Sequence, residues 1–352
     1  MSIRVGVVGA AGFAGVEVVR LTVAHPEFEL VAATSNELAG KRISEVYPAF
    51  TGCTDLEFCS HDEAPLATCD IVFLAVPHTA AMAQAPQLLE SGVSVVDLSA
   101  DFRLKDPEVY RQWYGVEHAA PDLLAQAAFG LPELFTDGLQ KAAARRARGE
   151  AVLVGCAGCY PTATSLASAP AIRAGLAGPG IIVADAVSGV SGAGKKATER
   201  THYCMADENL EAYGVANHRH TPEIEQILEI PGRLVFTPHL APLDRGLLST
   251  VTIPLGENDV TQAQLDELYQ DFYANSAFVS VITGGKQPKT ASVAGTNRAH
   301  VAAVLNEHAH AIVATGAIDN IGKGAAGQAV QCANIVCGLP ETTGLLSIAS
   351  PM

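Results

Sequence analysis

A short apolar run that leads into a glycine-rich turn restricts the fold of this sequence more than any other feature. Residues 3–8 (IRVGVV) have the pattern of a buried strand, and the stretch VEVVRLTVA after the turn has the apolar period of a helix. Gly9, Gly12 and Gly15 lie between them at G-x-x-G-x-x-G spacing. Such glycines allow a tight turn, and the first amides of the helix behind it attract a pyrophosphate. Because the spacing is not G-x-G-x-x-G, a turn that only packs a strand on a helix is the alternative.

The alternation of strands and helices continues through the first half of the chain. A helix is predicted over residues 80–90, and further strands are predicted at residues 29–33, 71–76, 93–97 and 152–155. Buried strands that alternate with crossover helices predict a doubly wound, mostly parallel sheet of the α/β class.

The pattern changes after Pro161. A helix is predicted over residues 261–274, and longer strands are predicted at residues 181–187, 247–253, 301–305 and near 309–315. This second half predicts an α+β domain with an open sheet. Residues 322–337 again have a helical pattern, with small residues suited to close packing on the first domain. We therefore expect a dinucleotide-binding domain of residues 1–155, completed by a C-terminal helix in about residues 322–352, and a catalytic, substrate and oligomerisation domain of residues 156–321.

Length and charge narrow the classes of function. A chain of 352 residues is long for one core and favours two domains. A net charge of −15 disfavours nucleic acid and anionic membranes as partners, and the basic segment of residues 141–148 is expected to be a solvated helix face. No apolar run is long enough to cross a bilayer and the N-terminus lacks the pattern of a signal peptide, so we expect a cytoplasmic protein. Its eight cysteines should then be reduced.

The end of the second predicted strand bears on the choice of dinucleotide. NAD-binding folds usually carry an acidic residue there, whereas this chain has residues 34–36 (TSN) followed by Lys41 and Arg42. Small hydroxyls and cations suit a 2′-phosphate, so NADP(H) is the predicted cofactor. Glu37 is an acidic residue nearby that argues for NAD instead. The alternative for Lys41 and Arg42 is that they are surface charges without a role. The residues predicted to contact the cofactor in this domain are Gly9, Ala11, Gly12, Phe13, Ala14, Gly15, Ser35, Lys41, Arg42 and, in a loop after a strand, Pro77.

The segment VGCAGCYPTA, residues 154–163, holds two thiols at C-x-x-C spacing. A strand is predicted to end at Gly155, and Pro161 is typical of a first helical turn, so Cys159 lies at or next to the helix N-cap. The amides and the positive dipole end there favour a thiolate and can also stabilise an oxyanion. Cys156 is expected in the preceding turn, without that advantage. A thioredoxin-like redox pair would need the motif early in a βαβ unit, and this position does not provide that context.

Two histidines supply the acid–base chemistry that a thiolate nucleophile needs. His218 and His220 stand just before a helix that Thr221, Pro222 and Glu223 signal. Histidine donates and accepts protons near neutral pH. A metal site and a structural role are the alternatives for this pair, but no other residues have a convincing ligand spacing, and no metal is predicted.

Six motifs along the chain resemble those of the N-acetyl-γ-glutamyl-phosphate reductase family of arginine biosynthesis: ADFRL, AFGLPEL, GCYPTA, SGVSGAGKK, HRHTPEI and AIDNIGKGAAGQAVQ. The resemblance runs over essentially the whole chain. It implies a Rossmann-type doubly wound parallel sheet plus a glyceraldehyde-phosphate-dehydrogenase-like α+β catalytic domain, a fold shared with aspartate-semialdehyde dehydrogenases. It also implies NADPH as cofactor, a small-molecule substrate and a homodimer or homotetramer.

Site roles follow from the resemblance position by position. Cys159 matches the catalytic cysteine, whose thiolate would displace phosphate from the acyl phosphate and form a thioester that NADPH reduces to the semialdehyde. His218 is the first choice for proton transfer and His220 the second, the other one contacting the substrate. Arg103 matches an arginine that faces substrate phosphate or carboxylate, with a structural salt bridge as the alternative. The remaining matches are Ser188 and Gly189 for the substrate, Gly192 for the cofactor and Asn320 for the nicotinamide amide.

The chain departs from many relatives in having Cys156-Ala157 where they have a proline before the Gly-Cys pair. This affects the turn in front of Cys159 and creates the C-x-x-C spacing. A reductase of a carrier-bound aminoadipyl or glutamyl phosphate and a non-catalytic dinucleotide-binding sensor are the alternative functions. A net charge of −15 offers little basic surface for an acidic carrier, and the retained cysteine and histidines disfavour a sensor. Aspartate-semialdehyde dehydrogenase fits these motifs less well.

Overall fold

The computed structural model describes residues 2–257 and 259–351, and these fold into two compact units. The first unit runs to Ala157 and includes Ala325–Leu346, and the second unit is Gly158–Gly324 together with the residues from Ser347 onward. The sequence placed the boundaries after residues 155 and 321 and assigned the whole C-terminal segment to the first domain. The structure instead groups the residues from Ser347 with the second unit.

Six parallel strands form the sheet of the first unit: β1 (Ile3–Val8), β2 (Phe28–Ala33), β3 (Ile71–Leu74), β4 (Ser94–Asp97), β5 (Ala128–Gly130) and β6 (Leu153–Cys156). Their order across the sheet is β2-β1-β3-β4-β6-β5, and each pairing is parallel. The chain runs from β1 outward to β2 and then crosses to β3 on the other side of β1. Ligands of such sheets bind at this reversal, outside the carboxyl ends of the strands. The doubly wound parallel sheet predicted from the sequence is confirmed.

The crossover segments of the first unit carry six helices: α1 (Phe13–Val23), α2 (Ile43–Val46), α3 (Ala81–Glu90), α4 (Pro107–Tyr114), α5 (Pro121–Leu124) and α6 (Pro132–Ala147). The apolar side of α3 packs with Leu74 and Val95 of the sheet in one cluster. α4 has two of the expected end signals, because the side chain of Asp106 accepts the N–H of Glu108 and Gly115 ends the helix in the left-handed region.

Within the described residues, the second unit combines a seven-stranded mixed sheet with four α-helices. The helices are α7 (Cys159–Arg173), α8 (Tyr203–Ala206), α9 (Thr221–Leu228) and α10 (Gln262–Tyr273). The strands are β7 (Ile182–Gly189), β8 (Glu211–Ala212), β9 (Leu234–Ala241), β10 (Leu247–Pro254), β11 (Val279–Val281), β12 (Ala299–Asn306) and β13 (Ala311–Ile318). Their order is β11-β12-β13-β10-β7-β9-β8. This open mixed sheet is the α+β arrangement that the sequence predicted.

Helix α7 is the central helix of the second unit. Every residue from Tyr160 to Ala171 is buried, and the helix packs on β10 and β13. It approaches the sheet closely because Gly316 has no side chain: a Cβ there would lie 2.6 Å from the carbonyl oxygen of Ala163. The hydroxyl of Tyr269 in α10 donates to a main-chain carbonyl of α7 at 2.7 Å. Packing of this extent fixes the position of the first residue of the helix, Cys159.

The chain leaves β13 through one π-helical turn, Gly322–Ala326, and continues into α11 (Gly327–Val336). α11 belongs to the first unit, where it contacts α1 and α6, and every one of its residues except Ile335 is buried. The segment predicted as one helix is therefore a π-turn followed by an α-helix. Its glycine and alanine residues account for the close packing.

Candidate active site

Cys159 is the first residue of α7. Gly158 is the N-cap, with an extended backbone (φ −69°, ψ 163°), and it offers no side chain to cap the amides of the first turn. The thiol is half-exposed. The dipole of a long buried helix and its first amides favour the thiolate at this position. The structure places Cys159 where the Tyr-Pro signal put it, and its role as nucleophile stays a prediction.

The position of Cys156 differs from the prediction. Cys156 is buried as the last residue of β6 and pairs with Gly130 of β5, whereas the sequence placed it in a turn. The ladder reaches this far because the N–H of Ala157 also donates to the carbonyl of Gly130. The carbonyl of Ala157 in turn accepts the side-chain amide of Gln328 at 3.2 Å. Hydrogen bonds therefore hold the backbone at Ala157.

A buried carboxylate holds the turn in front of Cys159. Oε1 of Glu223 accepts the N–H of Gly158 at 2.8 Å. Glu223 lies in the first turn of α9, three residues after His220, so one short segment supplies both histidines and this anchor. Sequence reasoning used Glu223 only as a sign of a helix start. Its contact with Gly158 joins residues 65 apart, and no local pattern indicates that.

The glycine-rich loop after β13 lies against Cys159. A Cβ at Gly324 would stand 2.7 Å from the Cβ of Cys159 and 3.1 Å from its Cα, so a side chain at this position displaces Cys159. Asp319 shapes this loop: it is fully buried, accepts two main-chain N–H groups of the loop and pairs with Arg245 at 2.8 Å. Sequence reasoning did not single out Asp319, although it stands in the AIDNIGKGAAGQAVQ motif, nor Arg245, which stands in none of the quoted motifs.

His218 and His220 belong to a cluster of rings around Tyr160, the residue after Cys159. The ring of Tyr160, the residue after Cys159, lies 5.7 Å from the ring of His218 and 5.9 Å from that of His220. Nδ1 of His218 accepts the N–H of His220 at 3.1 Å, which leaves the proton of the neutral His218 ring on Nε2. Burial, with a smaller effect of Arg219, lowers the pKa of His218 to about 4. His218 is therefore neutral at pH 7.

A second tyrosine, Tyr213, completes this ring cluster. Its hydroxyl donates to the hydroxyl of Tyr160 at 3.1 Å, and Tyr160 donates to the carbonyl oxygen of His239 at 2.9 Å. Burial raises the pKa of Tyr213 to about 12 and also raises the pKa of Tyr160, and the nearby charge of Cys159 acts in the same direction on both. Both phenols therefore stay protonated and fix the rings. Sequence reasoning did not single out Tyr213, because it stands in an irregular segment.

The predicted residues Ser188, Gly189, Gly192 and Asn320 come together at the end of β7 in the second unit. A Cβ at Gly192 would lie 2.8 Å from Oγ of Ser188 and 3.5 Å from Nδ2 of Asn320. Oδ1 of Asn320 accepts the N–H of Gly246 at 2.7 Å. Asn320 thus ties this loop together, and its predicted contact with the nicotinamide amide stays a prediction.

The predicted dinucleotide turn joins β1 to α1 in the first unit. Gly9 adopts φ +77°, and a Cβ there would lie 2.3 Å from the carbonyl oxygen of Ala75. A Cβ at Gly15 would lie 2.1 Å from the carbonyl oxygen of Gly9, so both positions require glycine. Gly12 caps α1 without a side chain, and a Cβ there would meet its nearest atom at 3.6 Å, which leaves room over the first amides of the helix. A cradle of this kind fits a pyrophosphate. Of the other predicted contacts, Ala11 lies in this turn, and Phe13 and Ala14 are the first two residues of α1.

The segment after β2 lies beside this turn. Thr34 is buried, and its hydroxyl lies 2.7 Å from Nδ1 of His61, a residue that the sequence did not single out. Ser35 follows, and Lys41 and Arg42 are exposed. Both predicted cations are accessible, and their contact with a 2′-phosphate stays a prediction.

Pro77 and Arg103 also lie in the first unit, after β3 and β4 respectively. Arg103 is buried, and its Nη2 donates to the carbonyl oxygen of Leu98 at 2.8 Å. Arg103 therefore helps to hold the turn after β4, and its predicted contact with substrate stays a prediction.

Metal-ligating side chains do not cluster in the part of the chain that the structure describes: no three His, Cys, Asp or Glu residues there are placed to hold a metal ion. Among the same residues, no helix combines the length and the apolar character that crossing a membrane requires.

Two family models match the chain. The model described as "Semialdehyde dehydrogenase, NAD binding domain" matches residues 4–142, and the one described as "Semialdehyde dehydrogenase, dimerisation domain" matches residues 159–320. Aspartate semialdehyde dehydrogenase II of Vibrio cholerae has the same fold, with a TM-score of 0.72 and 18% identity over 96% of this chain and 98% of that one. Aspartate semialdehyde dehydrogenase with NADP from Candida albicans has a TM-score of 0.70 and 15% identity, with the same coverage of both chains. Fold and matched domains thus define an oxidoreductase of the semialdehyde dehydrogenase class.

Curated relatives narrow this class. The N-acetyl-gamma-glutamyl-phosphate reductase of Herminiimonas arsenicoxydans is 44% identical over 350 residues, which are 98% of this chain and 99% of that protein. The enzyme of the same name from Laribacter hongkongensis is 46% identical over 347 residues, 97% of this chain and 98% of that protein. The chain belongs to the N-acetyl-γ-glutamyl-phosphate reductase family, as its motifs predicted.

Proposed function

We propose that this chain reduces N-acetyl-L-glutamyl 5-phosphate with NADPH to N-acetyl-L-glutamate 5-semialdehyde and phosphate. The observation that carries the proposal is the half-exposed thiol of Cys159 at the start of α7, with His218 and His220 in the ring cluster beside it. Relatives that are 44% and 46% identical over nearly their whole length carry the name of this reductase.

The thiolate of Cys159 attacks the acyl carbon, so that a C–S bond forms and the C–O bond to phosphate breaks with its electron pair leaving on phosphate. NADPH, when bound, supplies the hydride that reduces the thioester carbon. The tetrahedral oxyanion held on Cys159 then collapses, the C–S bond breaks, and aldehyde and thiolate separate. The dipole end of α7 favours the thiolate both as attacking and as leaving group.

The two histidines divide the remaining work. His218 is neutral because its pKa is about 4, and its Nδ1 is engaged by the N–H of His220, so it offers Nε2–H to the developing oxyanion. His220 then supplies the proton that the leaving phosphate takes up. This division reverses the order of choice that the sequence suggested for proton transfer, because burial keeps His218 uncharged.

The reverse reaction tests the proposal: phosphate-dependent reduction of NADP⁺ by N-acetylglutamate semialdehyde, followed by absorbance of NADPH. We expect turnover by the natural chain, near-complete loss in Cys159→Ser, and retention in the control Cys156→Ala. Wild-type turnover in Cys159→Ser together with its loss in Cys156→Ala would show that Cys159 is not the nucleophile. Turnover only with a carrier-bound aminoadipyl or glutamyl substrate would move the chain to the alternative function.

We also infer a preference for NADPH over NADH. Ser35 and the exposed cations Lys41 and Arg42 follow β2, where NAD-binding folds carry an acid. Lys41→Ala and Arg42→Ala are each expected to raise the KM for NADPH about tenfold and to leave that for NADH unchanged, because only NADPH carries the 2′-phosphate. Lys141→Ala, which removes an exposed cation of α6, is the control. An unchanged KM for NADPH in both variants contradicts the inference.

A homodimer or homotetramer is proposed from the outer face of the second sheet. Cross-strand partners form one row on that face, and all are at least partly exposed: Val235, Val183, Thr252, Val313 and Val304. Four of these five residues are valines, and an exposed row of this composition favours burial against a second copy. The family model that matches residues 159–320 is described as a dimerisation domain. Sedimentation should show an oligomer that Val235→Lys dissociates, while Val116→Lys, at an exposed valine of the first unit, leaves it intact. A natural chain that sediments as a monomer contradicts this proposal.

A further inference from the structure

Asp101 is a fully buried carboxylate in the turn after β4, and the chemistry above does not use it. Its Oδ1 accepts the N–H of Thr79 and the hydroxyl of Tyr110, each at 2.8 Å, and its Oδ2 accepts the N–H of Met82 at 3.0 Å. Nε2 of His118 hydrogen-bonds the carbonyl oxygen of Asp101 at 2.7 Å. A buried carboxylate with three donors is a strong and geometrically specific anchor.

The anchored segment, residues 75–80, contains a strained residue. Thr79 has φ +76°, in the left-handed region that β-branched residues avoid. Such a conformation persists only where the surrounding structure holds it. Asp101 holds this residue at two points, because its carboxylate accepts the N–H of Thr79 itself and the N–H of Met82 in the first turn of α3. Nδ1 of His78 adds a further tie by accepting the N–H of Ala100 at 3.2 Å.

The same segment borders the dinucleotide turn. It leaves the carboxyl end of β3 next to β1, where the strand order reverses. The carbonyl oxygen of Ala75 lies 2.3 Å, and Cγ1 of Val76 3.6 Å, from the place that a Cβ of Gly9 would occupy. A shift of residues 75–80 therefore changes the wall of the crevice outside β1 and β3.

We propose that Asp101 is a positioning residue for the cofactor: it holds residues 75–80 against the strain at Thr79, so that the crevice is formed before the dinucleotide binds. This proposal rests on the proposed function, because it takes NADPH as the occupant of that crevice. Affinity for NADPH then depends on a carboxylate that the cofactor does not have to touch.

The test measures the dissociation constant of NADPH by isothermal titration calorimetry with the full chain. Asp101→Asn places an amide NH₂ among N–H donors and is expected to weaken binding about ten- to hundredfold. Glycine accepts φ +76° without strain, so Thr79→Gly should bind within about threefold of the natural chain and should restore most of the lost affinity in the double variant. A role confined to folding would not produce this rescue.

Asp97→Asn is the matched control. Asp97, the last residue of β4, is also fully buried, but its carboxylate accepts the N–H and the hydroxyl of Ser99 rather than groups of residues 75–80. It should leave the affinity for NADPH unchanged. Asp101→Asn should raise the KM for NADPH, leave the KM for the acyl phosphate unchanged, and leave the rate of Cys159 alkylation by iodoacetamide unchanged.

Two results overturn the proposal: unchanged affinity in Asp101→Asn, or an equal loss in Asp101→Asn and Asp97→Asn. If Asp101→Asn does not fold, Tyr110→Phe tests the same anchor, because it removes a single hydrogen bond from the Asp101 carboxylate. The affinity for NADPH should then fall about two- to fivefold, about the value of one such bond. An unchanged affinity in Tyr110→Phe also overturns the proposal. A natural chain that binds neither NADPH nor NADH instead contradicts the proposed function, so the two failures are distinguishable.

Discussion

Replacing Gly324 with alanine is expected to displace Cys159, the proposed nucleophile, and so to abolish turnover. Carbon atoms that are not bonded rest about 3.5–4.0 Å apart, whereas the new Cβ would stand 2.7 Å from the Cβ of Cys159. The contact is relieved only by a movement of about 1 Å. Retreat on the other side is limited, because Cδ1 of Ile318 would lie 3.2 Å from the same methyl. The cysteine turn has to move.

The cost follows from the geometry of attack. A misplacement of about 1 Å in a reacting group lowers the rate about 100-fold, which corresponds to about 2.7 kcal/mol of barrier. The crowding itself is expected to lower the free energy of unfolding by about 1–3 kcal/mol, the range for overpacked interiors. Gly324→Ala should therefore remain folded at 25 °C and lose nearly all of its kcat.

The assay compares initial rates of phosphate-dependent NADP⁺ reduction with the rate of Cys159 alkylation by iodoacetamide. Both should fall in Gly324→Ala, because the thiol leaves its place at the helix N-terminus. Gly138→Ala is the matched control: Gly138 lies inside α6, and a Cβ there would meet no atom within 4 Å. It should keep full activity and gain up to about 1 kcal/mol in helix propensity. A Gly324→Ala enzyme with kcat within about twofold of the natural chain would refute the reasoning, since it would show that the methyl is absorbed without moving Cys159.

Three further predictions concern single side chains. The pKa of His218 is about 4 in the folded chain and 6.5 in the unfolded chain. The stability that this difference contributes is complete above pH 6.5 and falls by about 3 kcal/mol as the pH drops to 4. His218→Gln should flatten that decline in urea unfolding. Burial and Asp101 raise the pKa of Asp97 from 3.8 to about 7, so folding favours its protonated form and stability falls as the pH rises between these values. Asp97→Asn should accordingly raise the Tm more at pH 8 than at pH 4, and an equal change at both would contradict the buried charge. Gly15→Ala should abolish NADPH binding and lower the Tm, because its Cβ would stand 2.1 Å from the carbonyl of Gly9, whereas Gly12→Ala, with its nearest atom at 3.6 Å, should keep the natural Tm.

The elements that were predictable are those whose pattern is local. The apolar run of residues 3–8, the glycine turn and the segment behind it fold as a strand, a turn and a helix, as predicted. The spacing of apolar residues within each segment is enough to indicate which of them are buried. The helix predicted over residues 261–274 is observed as Gln262–Tyr273 with Thr261 as a hydrogen-bonded N-cap. Motifs that depend on order along the chain identified the family, and the comparisons confirm it.

Strand β9 shows why other elements escaped prediction. Its sequence, LVFTPHLA, carries Pro238 in the middle, and proline inside a run argues against a central strand because it cannot donate to a ladder. In the structure the strand nevertheless pairs with β7 along its whole length. On the other side of β9, the short strand β8 pairs only with His239 and Leu240. Pro238 therefore faces no strand that would need a hydrogen bond from its missing N–H. Which side of a strand is paired is a property of the sheet and not of the segment.

The sequence by itself determined the class of fold, the family and the position of Cys159 at a helix start, since periodicity, turn residues and motif order are all written along the chain. Only the tertiary structure decided what surrounds those residues. The carboxylate of Glu223 accepts the N–H of Gly158, a residue 65 positions earlier in the sequence. Gly324 packs on Cys159 although it stands at the other end of the segment that forms the second unit. The pKa of His218 and the strain held by Asp101 likewise arise from burial and from contacts between distant segments. Such contacts form only when the chain is folded, because their strength comes from the removal of water around both partners at once.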